Sequence, residues 1–181
     1  GCRAYAYNKR LEPAARILAT ILGGGLSSRL FLELRERQGL AYSVFSDYNS
    51  FVDTGAFSVY AGVSPENIKR ATRVIINELS RLRTELVSEA ELDKVKHKLA
   101  GGMQLALEST SAIADRVGSR MVLLNEIKTP DEIIEDIEAV TVEDIQAVAK
   151  DLFKAENMRL ATIAPDIRLA KRAFIKELEN M

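Results

Sequence analysis

The sequence predicts an α+β domain, and three observations support that class. Strand-like runs occur early in the chain, at 2–7, 42–48 and 55–63, and the last of these alternates apolar and polar residues. Capped amphipathic segments, typical of helices, fill the middle. One further strand-like run, Met158 to Ile163, returns near the end. Because strands and helices are segregated along the chain, we expect a mostly antiparallel sheet covered by helices on one face.

The composition restricts the class of function. The chain has 181 residues, enough for one domain with a sizeable core, and we expect a single domain over 1–181. Its 25 basic and 26 acidic side chains give a net charge of -1, without the excess of positive charge typical of proteins that bind nucleic acid. No apolar run approaches the length that a bilayer requires. We therefore expect neither a nucleic-acid partner nor a membrane span.

Two features of the N-terminal residues bear on where the protein resides. Cys2 is the single cysteine, so the fold cannot depend on an internal disulfide and a reducing compartment is permitted. We therefore expect a cytoplasmic protein. The chain starts at Gly1, without a methionine, and enters a strand-like run with no charged and apolar leader. On that basis we expect a piece excised from a longer protein.

Capping residues and prolines place the helices. The marked helix starts are Pro13, Ser64 to Glu66, Ser88 with Glu91, Ser109 to Ser111, Thr129 to Glu132, Thr141 with Asp144, and Pro165. Gly101 and Gly102 interrupt the helix that starts at Ser88. Because a mid-helix glycine costs about 1 kcal/mol relative to alanine, we expect this pair to pack closely against a neighbouring backbone.

The stretch from Leu22 to Val44, LGGGLSSRLFLELRERQGLAYSV, is the most distinctive part of the sequence. It begins with Gly23, Gly24 and Gly25, whose backbones can adopt angles that other residues avoid. We expect a helix to follow, capped by a serine at 27 or 28 and ended by Gly39 in a left-handed conformation. A strand should then start near Ala41.

A helical wheel separates the side chains of this helix. At about 100° per residue, an apolar arc contains Leu30, Phe31 and Leu34, while Arg29, Glu33 and Glu36 lie opposite. Arg35 breaks the pattern because it falls roughly 40° from Phe31, on the apolar side. A guanidinium in partly apolar surroundings loses hydration, so it requires an interaction partner at that position.

Arg35 and Tyr42 lie on either side of the turn at Gly39, and their chemistry permits two interpretations. An arginine and a tyrosine hydroxyl on one rim are hydrogen-bond donors suited to a peptide carbonyl or a developing oxyanion. Alternatively, Arg35 is a helix arginine that extends its stem over apolar surface, and Tyr42 is a half-buried strand aromatic. From the residues alone the second interpretation is the more common outcome.

The residue types needed for catalysis by this chain alone are scarce. A hydrolytic zinc site takes three protein ligands, commonly including two histidines on one helix. His97 is the single histidine and sits among lysines, so we expect a surface helix residue. Neither it nor Cys2 belongs to a nucleophile motif, and the glycine run lacks the Gly-Lys-Ser/Thr ending of a phosphate loop. We expect no catalytic residue and no metal ligand in this chain.

The residues of Leu22 to Val44 resemble the C-terminal half of pitrilysin-family zinc peptidases, the group that contains insulin-degrading enzyme and the mitochondrial processing peptidases. The similarity extends over nearly the whole chain, including the strand Gly55 to Gly62, the capping box at Ser88 and the segment Ile137 to Leu152, IEAVTVEDIQAVAKDL. The resemblance implies a metallohydrolase-like α/β roll. It also implies the half that lacks the inverted zinc motif His-x-x-Glu-His, which this sequence does not contain.

The resemblance implies specific roles for the two donors. In that family the second half contributes an arginine and a tyrosine seven positions apart, and Arg35 and Tyr42 have this spacing. Arg35 would hydrogen-bond a substrate backbone carbonyl, and Tyr42 would help stabilise the oxyanion. Zinc would be bound by a domain not present here, either a zinc-binding N-terminal half or a separate catalytic subunit. For residues Gly23 to Gly25 we expect a tight turn. A substrate-contacting loop is the alternative.

Two functions follow from the resemblance. The first is a substrate-binding C-terminal domain of a zinc-dependent metalloendopeptidase that cleaves peptides or unfolded protein segments. The second is a non-catalytic scaffold or partner subunit of the same fold, like the core proteins of a respiratory complex. The presence of Arg35 and Tyr42 favours the first.

Overall fold

The computed structural model describes residues 1–7, 9–179 and 181. Within them the sheet has three antiparallel strands, β1 (Cys2–Ala4), β2 (Ala41–Ser50) and β3 (Gly55–Val63), in the order β1-β3-β2. The α-helices are α1 (Glu12–Gly23), α2 (Ile68–Thr84), α3 (Glu89–Ala106), α4 (Thr110–Leu124), α5 (Pro130–Glu138), α6 (Val142–Leu152) and α7 (Ile167–Leu178). A π-helix spans Phe31–Arg37, and short 3₁₀ helices span Pro65–Asn67 and Ala155–Asn157. No described helix combines the length and the apolar character needed to cross a membrane.

The sheet has one packed face and one open face. The side chains of Val44, Tyr48 and Phe57 point into the core, whereas Phe45 and Tyr60 on the same strands are exposed. Strand alternation produces this division, because successive side chains of a strand point to opposite faces. The predicted α+β fold, with an antiparallel sheet and helices against it, is confirmed.

Helix α1 lies tightly on β2. It begins beside Pro13, as predicted, and eight of its residues are buried. The Ser46 hydroxyl donates to the Ala19 carbonyl at 2.7 Å. A Cβ on Gly23 would lie 2.3 Å from the Ser46 backbone nitrogen, so only glycine allows the helix to end this close to the strand.

The predicted late strand is absent from the described structure. Residues 158–163 are not a strand; Arg159 exchanges both backbone hydrogen bonds with Gly1, at 2.9 and 2.8 Å, and this pairing does not continue. The predicted first strand, 2–7, is also shorter, since β1 ends at Ala4. In both cases the sequence has strand propensity, but a strand also requires a partner along its length.

The helix starts from Ser88 onward follow local signals. Thr129 with Glu132 and Thr141 with Asp144 form complete capping boxes, as predicted. At Ser88 only half of the predicted box forms. The Ser88 hydroxyl accepts from the Glu91 N–H at 3.2 Å, but the Glu91 carboxylate binds elsewhere.

The expectation of close packing at Gly101 and Gly102 is wrong. Helix α3 continues through both glycines to Ala106, and a Cβ placed on either would meet open space. Their cost in helix propensity is therefore not offset by contacts among the described residues.

Arg29 connects the start of the π-helical segment to two core helices. Its Nε and Nη2 donate to the two carboxylate oxygens of Glu91 at 2.9 and 2.6 Å. Its Nη1 lies 3.9 Å from the buried carboxylate of Glu78, which also accepts from Arg81 at 2.9 Å. The hydrogen bonds that Arg29 donates to Glu91 raise the pKa of the guanidinium above its ordinary value. The helical wheel placed Arg29 opposite the apolar arc, but its side chain is only 18% exposed because Glu91 and Glu78 surround it.

The arginine cluster yields a stability prediction. We expect Arg29→Met to lower the free energy of unfolding by about 2 kcal/mol, because it leaves the carboxylates of Glu91 and Glu78 without their shared partner. Arg37→Met is the matched control: it removes an exposed ion pair with Glu33 on the same helical segment, and we expect a loss below about 0.5 kcal/mol. Urea unfolding followed by circular dichroism measures both. Equal losses would show that the Arg29 contacts add nothing beyond an exposed pair.

Candidate functional site

Arg35 lies at the surface of the π-helix and stacks on an aromatic ring. Its guanidinium carbon is 5.2 Å from the centroid of the Phe31 ring, and the side chain is exposed. Phe31 is half-buried and packs against the core. The partly apolar surroundings predicted for Arg35 are therefore the face of this ring. A cation over an aromatic face is stabilised there, while solvent-facing N–H groups remain able to donate.

The structure differs from the sequence-based expectation for this segment in two respects. Hydrogen bonds in a π-helix run from residue i to i+5, so a wheel of 3.6 residues per turn does not describe it. The expected serine cap is also absent: the Ser28 hydroxyl donates back to the Gly25 carbonyl at 2.6 Å, and the side chain is buried. Isolated π-helical turns are frequent at functional sites.

The turn between the two site residues is tightly closed. Gly39 has a φ of 58°, the left-handed conformation predicted for the end of the helix. The Leu40 N–H donates to the Leu34 carbonyl at 2.7 Å, and both leucine side chains are buried. Only residues 38–40 separate the π-helix from β2. Arg35 and Tyr42 are thus held on consecutive elements joined by a short, ordered connection.

Tyr42 is exposed, which contradicts the half-buried alternative considered from its sequence. Its exposed fraction is 71%. The pairing of β2 with β3 shifts between Ala41 and Ser43, so Tyr42 occupies a β-bulge. Bulges re-aim a side chain out of the regular alternation. The ring lies over Gly62, where a Cβ would be 2.5 Å from the Tyr42 Cζ. The absence of a side chain at Gly62 therefore allows this ring position.

A second aromatic feature lies on the same open face of the sheet and was not identified from the sequence. Phe45 and Tyr60 are direct partners in the β2–β3 register, and their rings stack with centroids 4.9 Å apart and planes 20° apart. The hairpin register was the signal that could have found this pair, since outward residues at matching positions must be neighbours. The face that carries Tyr42 therefore also presents stacked, exposed aromatic surface.

The glycine run is a packed turn. Gly23 is buried against β2, and the Gly24 N–H donates to the Thr20 carbonyl at 2.9 Å. The ammonium group of Lys98 in α3 donates to the Gly24 carbonyl. These contacts agree with the first interpretation of residues 23–25, a tight turn, and they tie the turn to α1 and α3.

The structure places the two residues considered for catalysis, His97 and Cys2, in different surroundings. His97 is exposed, as expected, and its Nδ1 lies 2.7 Å from the Asp93 carbonyl of its own helix. Burial raises the pKa of the Cys2 thiol to about 11, so it is not a thiolate at neutral pH. No group of three or more His, Cys, Asp or Glu side chains in the described residues could hold a metal ion. The site can donate hydrogen bonds; these residues do not fit a zinc centre.

Two relatives illustrate what the sequence is similar to. An uncharacterized zinc protease of Bacillus subtilis is 38% identical over 149 residues, which cover 82% of this chain and 36% of that protein. An uncharacterized zinc protease of Mycobacterium tuberculosis is 42% identical over 168 residues, covering 93% of this chain and 38% of that protein. The chain therefore spans little more than a third of the length of these relatives.

Solved structures share the fold. A protease from Helicobacter pylori matches with a TM-score of 0.74 and 27% identity, over 84% of this chain and 37% of that chain. A chain in the structure of Complex III2 from Candida albicans, with Inz-5 bound, matches with a TM-score of 0.76 over 86% of this chain and 39% of that chain. The identity in the second case is 21%, so it shows the fold alone.

The family assignment follows from these matches together. The segment that contains the glycine turn, the π-helix, Tyr42 and the hairpin lies within residues 2–99, over which the family model described as the peptidase M16 inactive domain matches. The resemblance to zinc peptidases noted in the sequence is confirmed by the relatives. The chain belongs to the peptidase M16 inactive domain family.

Proposed function

We propose that this chain is the substrate-binding domain, without zinc, of a zinc-dependent metalloendopeptidase that cleaves peptides or unfolded protein segments. Similarity to proteins named zinc proteases supports zinc chemistry in the complete protein. Because the described residues do not fit a zinc centre, the metal belongs to another part of the protein or to a separate catalytic subunit.

The observation that carries the proposal is the pair of exposed donors on either side of the Gly39 turn. Arg35 presents guanidinium N–H groups above the Phe31 ring, and Tyr42 presents a phenolic hydroxyl above Gly62. Neither side chain has an acidic partner among the ion pairs and hydrogen bonds of the described residues. Donors directed at a peptide carbonyl, or at the oxyanion formed from it, stabilise the charge that develops during peptide hydrolysis. We assign carbonyl binding to Arg35 and oxyanion stabilisation to Tyr42.

The sheet edge supports binding of an extended peptide. In the described sheet, β2 pairs with β3 on one side only. An edge strand can hydrogen-bond an added extended segment through its free backbone groups. Tyr42 lies near the start of this strand, so a peptide along β2 would pass the proposed oxyanion donor.

A scaffold subunit of the same fold is the alternative. A chain of Complex III2 has the same fold, and this similarity supports the scaffold alternative. A scaffold requires the packed core but no donor at Arg35 or Tyr42. The two functions therefore differ in what substitution of these residues should do.

Substitution of the two donors tests the proposed role. In the complete protein, we expect Arg35→Ala and Tyr42→Phe each to lower kcat/KM for a peptide substrate by about 100-fold, the scale for loss of one oxyanion donor. Arg37→Ala, in the same π-helix, and Tyr60→Phe, on the same sheet face, are matched controls expected to change kcat/KM less than about two-fold. The measurement is cleavage of a quenched fluorescent peptide.

Two outcomes would count against this role. Unchanged cleavage by the Arg35 and Tyr42 variants would remove both residues from the mechanism. Lack of cleavage by the complete wild-type protein, with zinc present and the fold intact by circular dichroism, would favour the scaffold.

Metal content gives a second test. We expect the 181-residue chain by itself to bind substoichiometric zinc and to cleave no peptide, because its described residues present no grouped ligands. Zinc measured by mass spectrometry after dialysis, with the complete protein as the positive control, checks this expectation. One equivalent of zinc in the isolated chain would contradict the assignment of zinc to another domain or subunit.

A further inference from the structure

Helix α4 carries an apolar stripe that the described residues leave uncovered. Ile113, Val117 and Met121 follow one another at four-residue spacing and are 41%, 36% and 44% exposed. No residue of α4 is buried. The adjoining face is half-buried, and there Arg120 Nη2 donates to Glu126 Oε2 at 3.3 Å. The described residues therefore bury no face of α4 and leave the stripe open to solvent.

The ends of α4 are defined by strong local signals. The Ser109 hydroxyl accepts from the Ala112 N–H at 3.4 Å, and Asn125 ends the helix in a left-handed conformation with a φ of 51°. A helix of 15 residues is marginal in water unless an apolar face packs against another surface. Sequence signals thus specify a helix whose stabilising contact is not supplied within the described residues.

The relatives indicate where that contact comes from. They carry more than half of their length outside the region that matches this chain. A domain on the same polypeptide has an effective concentration on the order of millimolar, which favours it over a partner that binds from solution. The stripe contains no charged side chain, so its complement is an apolar surface.

We propose that Ile113, Val117 and Met121 form the docking surface for a second domain of the complete polypeptide, which contacts α4 through an apolar patch. The nature of that domain rests on the proposed function, in which a zinc-binding half completes the enzyme. The location of the contact rests on the exposure of the stripe and on the lack of buried residues in α4.

Two valines of α4 allow a matched labelling experiment. Val117 lies in the stripe, whereas Val122 lies outside it and is 84% exposed. In the complete native protein, we expect the thiol introduced by Val117→Cys to react with a maleimide at least about ten-fold more slowly than the thiol introduced by Val122→Cys. The two should react equally in urea, and the unsubstituted protein gives the background from Cys2 and any other thiol.

A second pair of variants tests whether the contact stabilises the helix. We expect Val117→Asp to increase hydrogen exchange across residues 110–124 of the complete protein at least about ten-fold, because a charge is placed in an apolar contact. Val122→Asp should change it less than two-fold. Unaltered exchange in α1 would show that the core remains folded in both variants.

Three results would overturn the proposal. Equal native labelling at positions 117 and 122 would show that the stripe is open in the complete protein. Equal effects of the two aspartates on exchange would show that the stripe makes no contact. Protection at position 117 that disappears on dilution, together with a dimer that dissociates in sedimentation, would assign the stripe to a second copy. None of these readouts uses peptide cleavage, so they are independent of the roles proposed for Arg35 and Tyr42.

Discussion

The bidentate ion pair between Arg29 and Glu91 is the contact on which the geometry of the candidate site depends. It joins the start of the helical segment that carries Arg35 to the first turn of α3, with Glu78 of α2 beside it. Two parallel N–H···O bonds set a direction as well as a distance. The Glu91 carboxylate accepts hydrogen bonds from Arg29 and not from the Ser88 backbone N–H, so the capping box at Ser88 is incomplete. A local interaction is thereby replaced by one between residues 62 positions apart.

Beyond that anchor, backbone features place the two donors at the surface. The π-helix brings Arg35 over the Phe31 ring, and Gly39 reverses the chain in a left-handed conformation. The bulge at the start of β2 turns Tyr42 outward over Gly62. Each feature departs from regular helix or strand geometry, and such departures cluster near functional sites in proteins. Helix α1, which packs on the sheet, has regular geometry. The π-helix and the bulge, which carry the two hydrogen-bond donors, do not.

Some apolar surfaces of the molecule are packed against other elements, and others are exposed to solvent. Between the sheet and α1, backbone and side chain approach closely, as at Gly23 and Ser46. The stacked rings of Phe45 and Tyr60 and the stripe on α4 remain exposed. Apolar surface left open in one part of a longer protein commonly marks a contact with another part or with a ligand. The two zinc-protease relatives described above are more than twice as long as this chain.

The sequence by itself determined the features that depend on near neighbours. Helix α1 at Pro13, the strands β2 and β3, the capped helix starts at Thr129 and Thr141 and the left-handed Gly39 were all predicted, because each involves groups within a few residues of one another. The spacing of the arginine and the tyrosine also identified the candidate site through the family resemblance. Only the tertiary structure decided that Arg29 is an anchor, that residues 158–163 are not a strand and that Tyr42 faces outward. Each of these outcomes depends on a partner distant in the chain (Glu91, Gly1 and Gly62, respectively), and local propensity carries no information about which distant group will be in contact.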